Sequence, residues 1–227
     1  MVLSCALCLL AGLLIGGILP MPWDKDRPSV PANAMLISPA SSDGSQTGTS
    51  GSDPNALDSQ DNFSLLNTAC YAVHLFQEKD YAALAKLVHP ERGVTFTPYS
   101  TVTPESDLNF SPGQIETLAA DQTVYTWGFM DGSGSPIAMT FPQYIDQYVF
   151  NADYTQASQI GIDQIIYTGN ALENLHEVYT GCRFVDFSLP GRNGSNQGLD
   201  WNSLKLVFAP GETCWQLVGV VHSQWTI

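Results

Sequence analysis

At 227 residues the chain has room for one medium domain with extra segments, or for two very small ones. Asp and Glu outnumber Lys and Arg by 22 to 8, for a formal charge of −14. No basic stripe is present to neutralise phosphates, so nucleic acid is excluded as a partner, and an anionic membrane surface would repel the folded part.

Met1 to Pro20 is apolar apart from Ser4, and Trp23 stands just before the charged cluster Asp24-Lys25-Asp26-Arg27. That suits a span of about 18–20 residues with its outer edge fixed by the charges. Residues 1–23 therefore read as an apolar anchor helix, with a cleaved signal peptide ending at Ala32-Asn33-Ala34 as the alternative. The first reading places the protein in a bacterial envelope as a single-pass membrane protein with an extracytoplasmic domain; the second makes it secreted. Residues 24–61 are rich in Ser, Gly, Pro, Asp and Asn, too poor in apolar groups to offset the entropy of ordering, and read as a tether spanning about 30–35 Å.

The domain is expected over 62–227. Asn62 to Gln77 carries one apolar stripe through Leu66, Cys70, Val73 and Phe76, the spacing of a helix. Asp80 caps a second helix, Tyr81 to Val88, and His89-Pro90 stops it. Val94 to Pro98 alternates as a short strand, and Ser111-Pro112 opens a short helix. Val124–Met130 and Pro136–Thr140 flank a hairpin turn at Asp131–Ser135, and Phe141 to Val149 forms a helix with Phe141, Tyr144, Ile145 and Tyr148 on one face. Strands follow at Ile160–Tyr167, Leu172–Tyr179, Cys182–Leu189, Ser203–Ala209 and Cys214–His222. In the last of these Trp215, Leu217, Gly219 and Val221 are expected to point one way. Helices first and strands last predict an α+β domain, its helices packed on one face of an antiparallel sheet.

The helical start ending in Asp80-Tyr-Ala-Ala-Leu-Ala-Lys-Leu-Val-His-Pro90 resembles the opening of the nuclear transport factor 2-like fold. The closing pair Leu204-Lys-Leu-Val-Phe208 and Trp215-Gln-Leu-Val-Gly-Val-Val-His222 resembles its last strands. The resemblance implies a cone: N-terminal helices on a curved antiparallel sheet with a pocket between them. It implies no particular activity, because that family spans enzymes and mute binding modules.

Five cysteines make no disulfide framework. Cys5 and Cys8 lie in the apolar segment, while Cys182 and Cys214 start strands that a third strand separates, so Cys70, Cys182 and Cys214 are expected as free thiols. No cofactor is implied and no metal site, since His176-Glu177 has Thr180 where a zinc helix needs a second His. His74 reads as a surface residue and His89 as a helix-end cap. A carboxylate and a histidine in an apolar pocket suit proton transfer, which singles out Asp186, interrupting an apolar strand, and His222, closing the last one. Trp127, Tyr144, Tyr148 and Trp225 are candidate binding aromatics. The resulting reading is a tethered, non-enzymatic domain that binds a small molecule or an envelope protein and meets the membrane through its N-terminal segment only. The alternative is a pocket hydrolase or isomerase using His222 and Asp186.

Overall fold

The computed structural model describes residues 54–191 and 198–226. The expected anchor, Met1 to Trp23, lies outside them; among the described residues no helix is long and apolar enough to cross a membrane. Helix α1 runs Pro54–Glu78. It thus begins within the segment 24–61 expected as tether. Its buried stripe is Leu65, Ala69, Ala72, Val73 and Phe76, with Leu66 and Cys70 half-buried at its margin. This is shifted from the expected stripe at Leu66 and Cys70, whose places in the core are taken by Leu65 and Ala69. Lys79 adopts a left-handed conformation (φ 55°), and Asp80 N–H closes back on Leu75 O at 3.0 Å, a glycine-type helix ending made with lysine. Asp80 then caps α2 (Tyr81–Leu87) by accepting from Ala83 N at 2.9 Å.

Strands β1 (Val94–Thr97) and β2 (Leu108–Phe110) pair antiparallel. Helices α3 (Pro112–Thr117) and α4 (Phe141–Tyr144) each carry a Pro in the first turn. In each, a glutamine reaches back to the capping residue's backbone: Gln114 to Ser111 N and Gln143 to Thr140 N, both at 2.9 Å. Between them β3 (Tyr125–Phe129) and β4 (Pro136–Met139) form a separate two-stranded ribbon. Helix α4 continues as a wide π turn, Ile145–Val149, with Phe150 N–H bonded to Ile145 O at 2.7 Å.

The main sheet adds β5 (Gln159–Ile162), β6 (Arg183–Leu189), β7 (Asn202–Pro210) and β8 (Trp215–Gln224), in the order β2-β1-β8-β7-β6-β5. β1 runs parallel to β8, so the sheet is mixed rather than antiparallel as expected. The chain reaches β1 from α2 and β8 from β7, and no hairpin joins β1 to β8 to force antiparallel pairing. The fold class is α+β, helices on a mixed sheet.

Two further expectations fail for local reasons. Leu172–Tyr179 is not a strand; it contains α5 (Leu175–Val178). Leu175, Val178 and Tyr179 pack with Phe184 and Val207, the i, i+3, i+4 spacing of one helical turn. The expected alternation of β8 is broken by a bulge, where Phe208 pairs with Leu217 but Val207 pairs with Gly219. Trp215 and Leu217 face the helices; past the bulge Val220 and His222 do so, while Gly219 and Val221 face the other way. Gly219 is required there, since a Cβ would lie 2.6 Å from the Tyr179 hydroxyl oxygen.

Both faces of the sheet are therefore covered. The helix side holds Val185, Phe187, Leu204, Leu206, Phe208 and Val220. The opposite side is covered by α5 and by residues 163–174, which fold back beneath β5 so closely that a Cβ on Gly161 would lie 2.2 Å from Gln164 O.

Candidate functional site

Because of the bulge, His222 pairs with Leu204 on the helix side. It is 1 % exposed. Its Nδ1 lies 3.0 Å from Pro98 O and its Nε2 3.3 Å from Asn151 Nδ2. Those partners define a neutral ring: Nδ1–H donates to the carbonyl, and Nε2 accepts from the amide. Asn151 also donates to Asn202 Oδ1 at 3.0 Å and accepts from the Tyr154 hydroxyl at 2.9 Å. Burial pushes the His222 pKa down to about 4, the Pro98 carbonyl opposes that shift, and the charge of Lys205 adds to it. At neutral pH the ring is uncharged, with its one N–H and its one lone-pair nitrogen both engaged, so it ties β8 to the Pro98 turn and to Asn151.

Asp186 pairs in register with Lys205, and both belong to the opposite side of the sheet. The Asp186 carboxylate accepts from Ser188 Oγ (2.8 Å), Ser203 Oγ (2.6 Å) and Ile166 N (2.9 Å). Asp186 and His222 are thus on opposite faces of one sheet and cannot reach a common substrate atom.

The binding aromatics divide. Trp127 and Tyr144 stack at 3.8 Å, and Tyr144 on Tyr148 at 5.3 Å. Trp127 and Tyr144 have no exposed surface, and the indole N–H donates to Met139 O at 2.9 Å. Phe96 and Phe141 pack against this column, Phe96 edge-on to both Trp127 and Tyr144. Burial drives the Tyr144 phenol well above its ordinary pKa, with the charge of Asp107 reinforcing it, and Tyr148 up to about 12. The space between helices and sheet, where the cone resemblance places a pocket, is filled at this position by side chains. Trp225 lies beyond β8 beside Gly169 and is 40 % exposed.

Several buried polar residues were not singled out from sequence. Lys205, with 0 % of its side chain exposed, pairs with Glu173 Oε1 at 3.1 Å and donates to Ser223 Oγ at 2.5 Å, which also receives Ser100 Oγ–H at 2.8 Å. The available signal was a pair of opposite charges, Asp186 and Lys205, each interrupting an apolar run in neighbouring strands.

Of the other histidines, His89 is structural. His89 Nδ1 accepts from Glu91 N and Arg92 N at 3.2 and 3.1 Å, closing the turn after α2. His74 is exposed on α1, and His176 meets the Phe184 ring at 5.1 Å. Cys70, Cys182 and Cys214 form no disulfide, and Cys182 Sγ accepts from Arg92 Nη1 at 3.1 Å. Among the described residues no group of three His, Cys, Asp or Glu side chains is placed to hold a metal ion. An open groove of about 260 Å³ lies at the β7–β8 turn, lined by Asp61, Ser64, Glu212, Cys214 and Trp215 among others.

No family model matches the chain, and no curated protein matches it. Among solved structures it is similar to a five-fold substituted protein named Rd1NTF2_05, at 13 % identity and a TM-score of 0.29 over 75 % of this chain and all of that one. It is also similar to Aln2 from a Streptomyces species, at 8 % identity and a TM-score of 0.33 over 76 % of this chain and 93 % of that one. Both scores are low, and the fold rests on the elements described above.

Proposed function

We propose that the domain is a non-enzymatic recognition module that binds a protein partner through its outer surface. The filled aromatic column Phe96–Trp127–Tyr144–Tyr148 carries this reading: a small-molecule chamber needs hundreds of cubic ångströms of concave space, and side chains occupy that place. The two residues best suited to acid–base work are engaged in structural hydrogen bonds on opposite faces. A formal charge of −14 favours a partner with a neutral or basic surface.

The finer fold reading, a nuclear transport factor 2-like cone, is supported by the order of elements: paired helices, a short strand, and a closing run of three long strands. The apolar run Met1 to Pro20 supports attachment to a bacterial membrane with the domain outside. Salt and carbonate washing of membranes from cells expressing the full chain tests that point. Retention is expected; free product beginning at Met35 would mean a cleaved signal and a secreted protein.

The recognition reading is tested by placing a photo-crosslinking residue at exposed Phe63, Phe129 or Leu172, and at buried Trp127, of the full-length chain in cells. A discrete heavier band from at least one surface position and none from the buried one is expected. A small-molecule adduct at the buried position, with none at the surface, would overturn the reading.

A further inference from the structure

The side of the sheet facing away from the helices is built of two unlike halves. One half is apolar: Phe184, Val207, Ala209 and Val221 pack with Leu175 of α5 and with Tyr179 just after it. The other is polar, with Asp186, Ser188, Ser203, Lys205, Ser223 and nearby Ser100 all no more than 3 % exposed. What covers this half is irregular chain, residues 163–174.

That segment is pinned at its ends. Asp163 accepts from Arg183 Nε at 2.7 Å and Phe184 N at 2.9 Å. The Asn174 amide clasps Val102 from both sides, with both bonds at 2.8 Å. Between the pins the ties are mostly polar: Ile166 N–H to Asp186, Glu173 to Lys205, Thr101 Oγ1–H to Leu172 O at 2.7 Å, and Thr226 Oγ1–H to Asn170 Oδ1 at 3.0 Å. Tyr167 stacks on Trp201 at 5.5 Å.

An apolar cover resists lifting because each exposed Å² of hydrocarbon costs free energy. A cover over buried charges behaves differently, since lifting it returns Lys205 and Asp186 to water and regains hydration lost on burial. Glu173 sharpens this: its Oε2 is buried without a hydrogen-bond partner, so the closed state leaves half of that carboxylate unsatisfied. We propose that residues 164–173 form a strap that opens as a unit between Asp163 and Asn174, baring Lys205 and Asp186 while the sheet stays folded.

The test is acylation of lysines in the native full-length chain by an N-hydroxysuccinimide acetate, read by peptide mass spectrometry beside amide exchange of β7. Lys205 is expected to react at least about 100-fold more slowly than exposed Lys79 and Lys86, yet its protection, the ratio of exposed to observed rate, is expected to be about 100-fold smaller than that of the β7 amides, the signature of local opening. Lys205 protected as strongly as the β7 amides would overturn the strap, because the cover would then lift only on global unfolding. Glu173→Gln weakens the latch while keeping its shape, and is expected to speed Lys205 acylation about 10-fold with β7 exchange unchanged. No change, or an equal change in β7, would count against it. Thr101→Val, which removes the bond to Leu172 O, is read in the same way should Glu173→Gln fail to fold.

Discussion

The two faces of the sheet solve the same burial problem with opposite chemistry. Toward the helices, aromatic rings meet in stacked and edge-on pairs, and the titratable His222 at the margin is kept neutral. Away from the helices, an aspartate and a lysine are buried beside four serines, and each charge takes a partner from a loop as well as from the sheet. Close-packed hydrocarbon gives stability and rigidity. Buried charges give little net stability but bind the chain to one arrangement as long as every partner is in place. The helix side is where stability is concentrated, and the strap side is where the fold can yield locally.

The contrast is most sharply broken by truncating the column. Trp127→Ala is expected to cost about 3–5 kcal/mol, as lost transfer energy plus a cavity, seen as a lower denaturation midpoint with all strands affected together. Next comes acid. His222 is held at about 4 in the fold against 6.5 unfolded, so between those pH values the unfolded chain binds more protons. Its contribution is intact above pH 6.5 and lost as pH falls to about 4, amounting to roughly 3 kcal/mol. Unfolding free energies of the native chain and His222→Gln, compared from neutral pH down to the folded-state pKa, should show the smaller slope in the variant.

Asp186→Ala leaves two serine hydroxyls and Ile166 N–H without their acceptor and is expected to cost about 2 kcal/mol, with amide exchange rising first in residues 164–173. Uniform loss of protection in α1 and the strands would erase the distinction between the faces. The smallest effect has the opposite sign. Lys79→Gly relieves a left-handed lysine at φ 55° and is expected to stabilise by about 0.5–1 kcal/mol, read as a higher denaturation midpoint. The ion pair it removes, Lys79 with Asp146, is more than half exposed on both sides and contributes little.

What the sequence made legible is what neighbouring residues decide. Asp80 before α2, Ser111-Pro112 before α3 and the glycine-rich turn of the β3–β4 ribbon all act within a few residues of chain. The parallel β1–β8 pairing joins residues far apart along the chain, such as Thr95 and Gly219, beyond any local signal. The bulge at Val218 adds one residue to β8 and reverses the facing of everything after it, which is why His222 and Asp186 could be paired on paper and are separated by the sheet. In Leu172–Tyr179 the apolar residues satisfied both a strand and a helical turn, and packing against Phe184 selected the turn. At the candidate site, the sequence singles out the aromatics Trp127, Tyr144 and Tyr148, yet composition does not tell a lined chamber from a filled one. That depends on the gap between helices and sheet, which packing between residues distant in the chain sets.

Binding of a small apolar probe bears most directly on the filled interior. Thermal unfolding of the full-length chain and of the conservative Trp127→Leu variant would be followed with and without saturating benzene. The native protein should show no rise in Tm. The variant, with a ring-sized void beside Tyr144, should gain several degrees through linkage to the folded state. A comparable rise in the native protein would mean that an apolar chamber already exists between helices and sheet, and would contradict a recognition module that works from its surface.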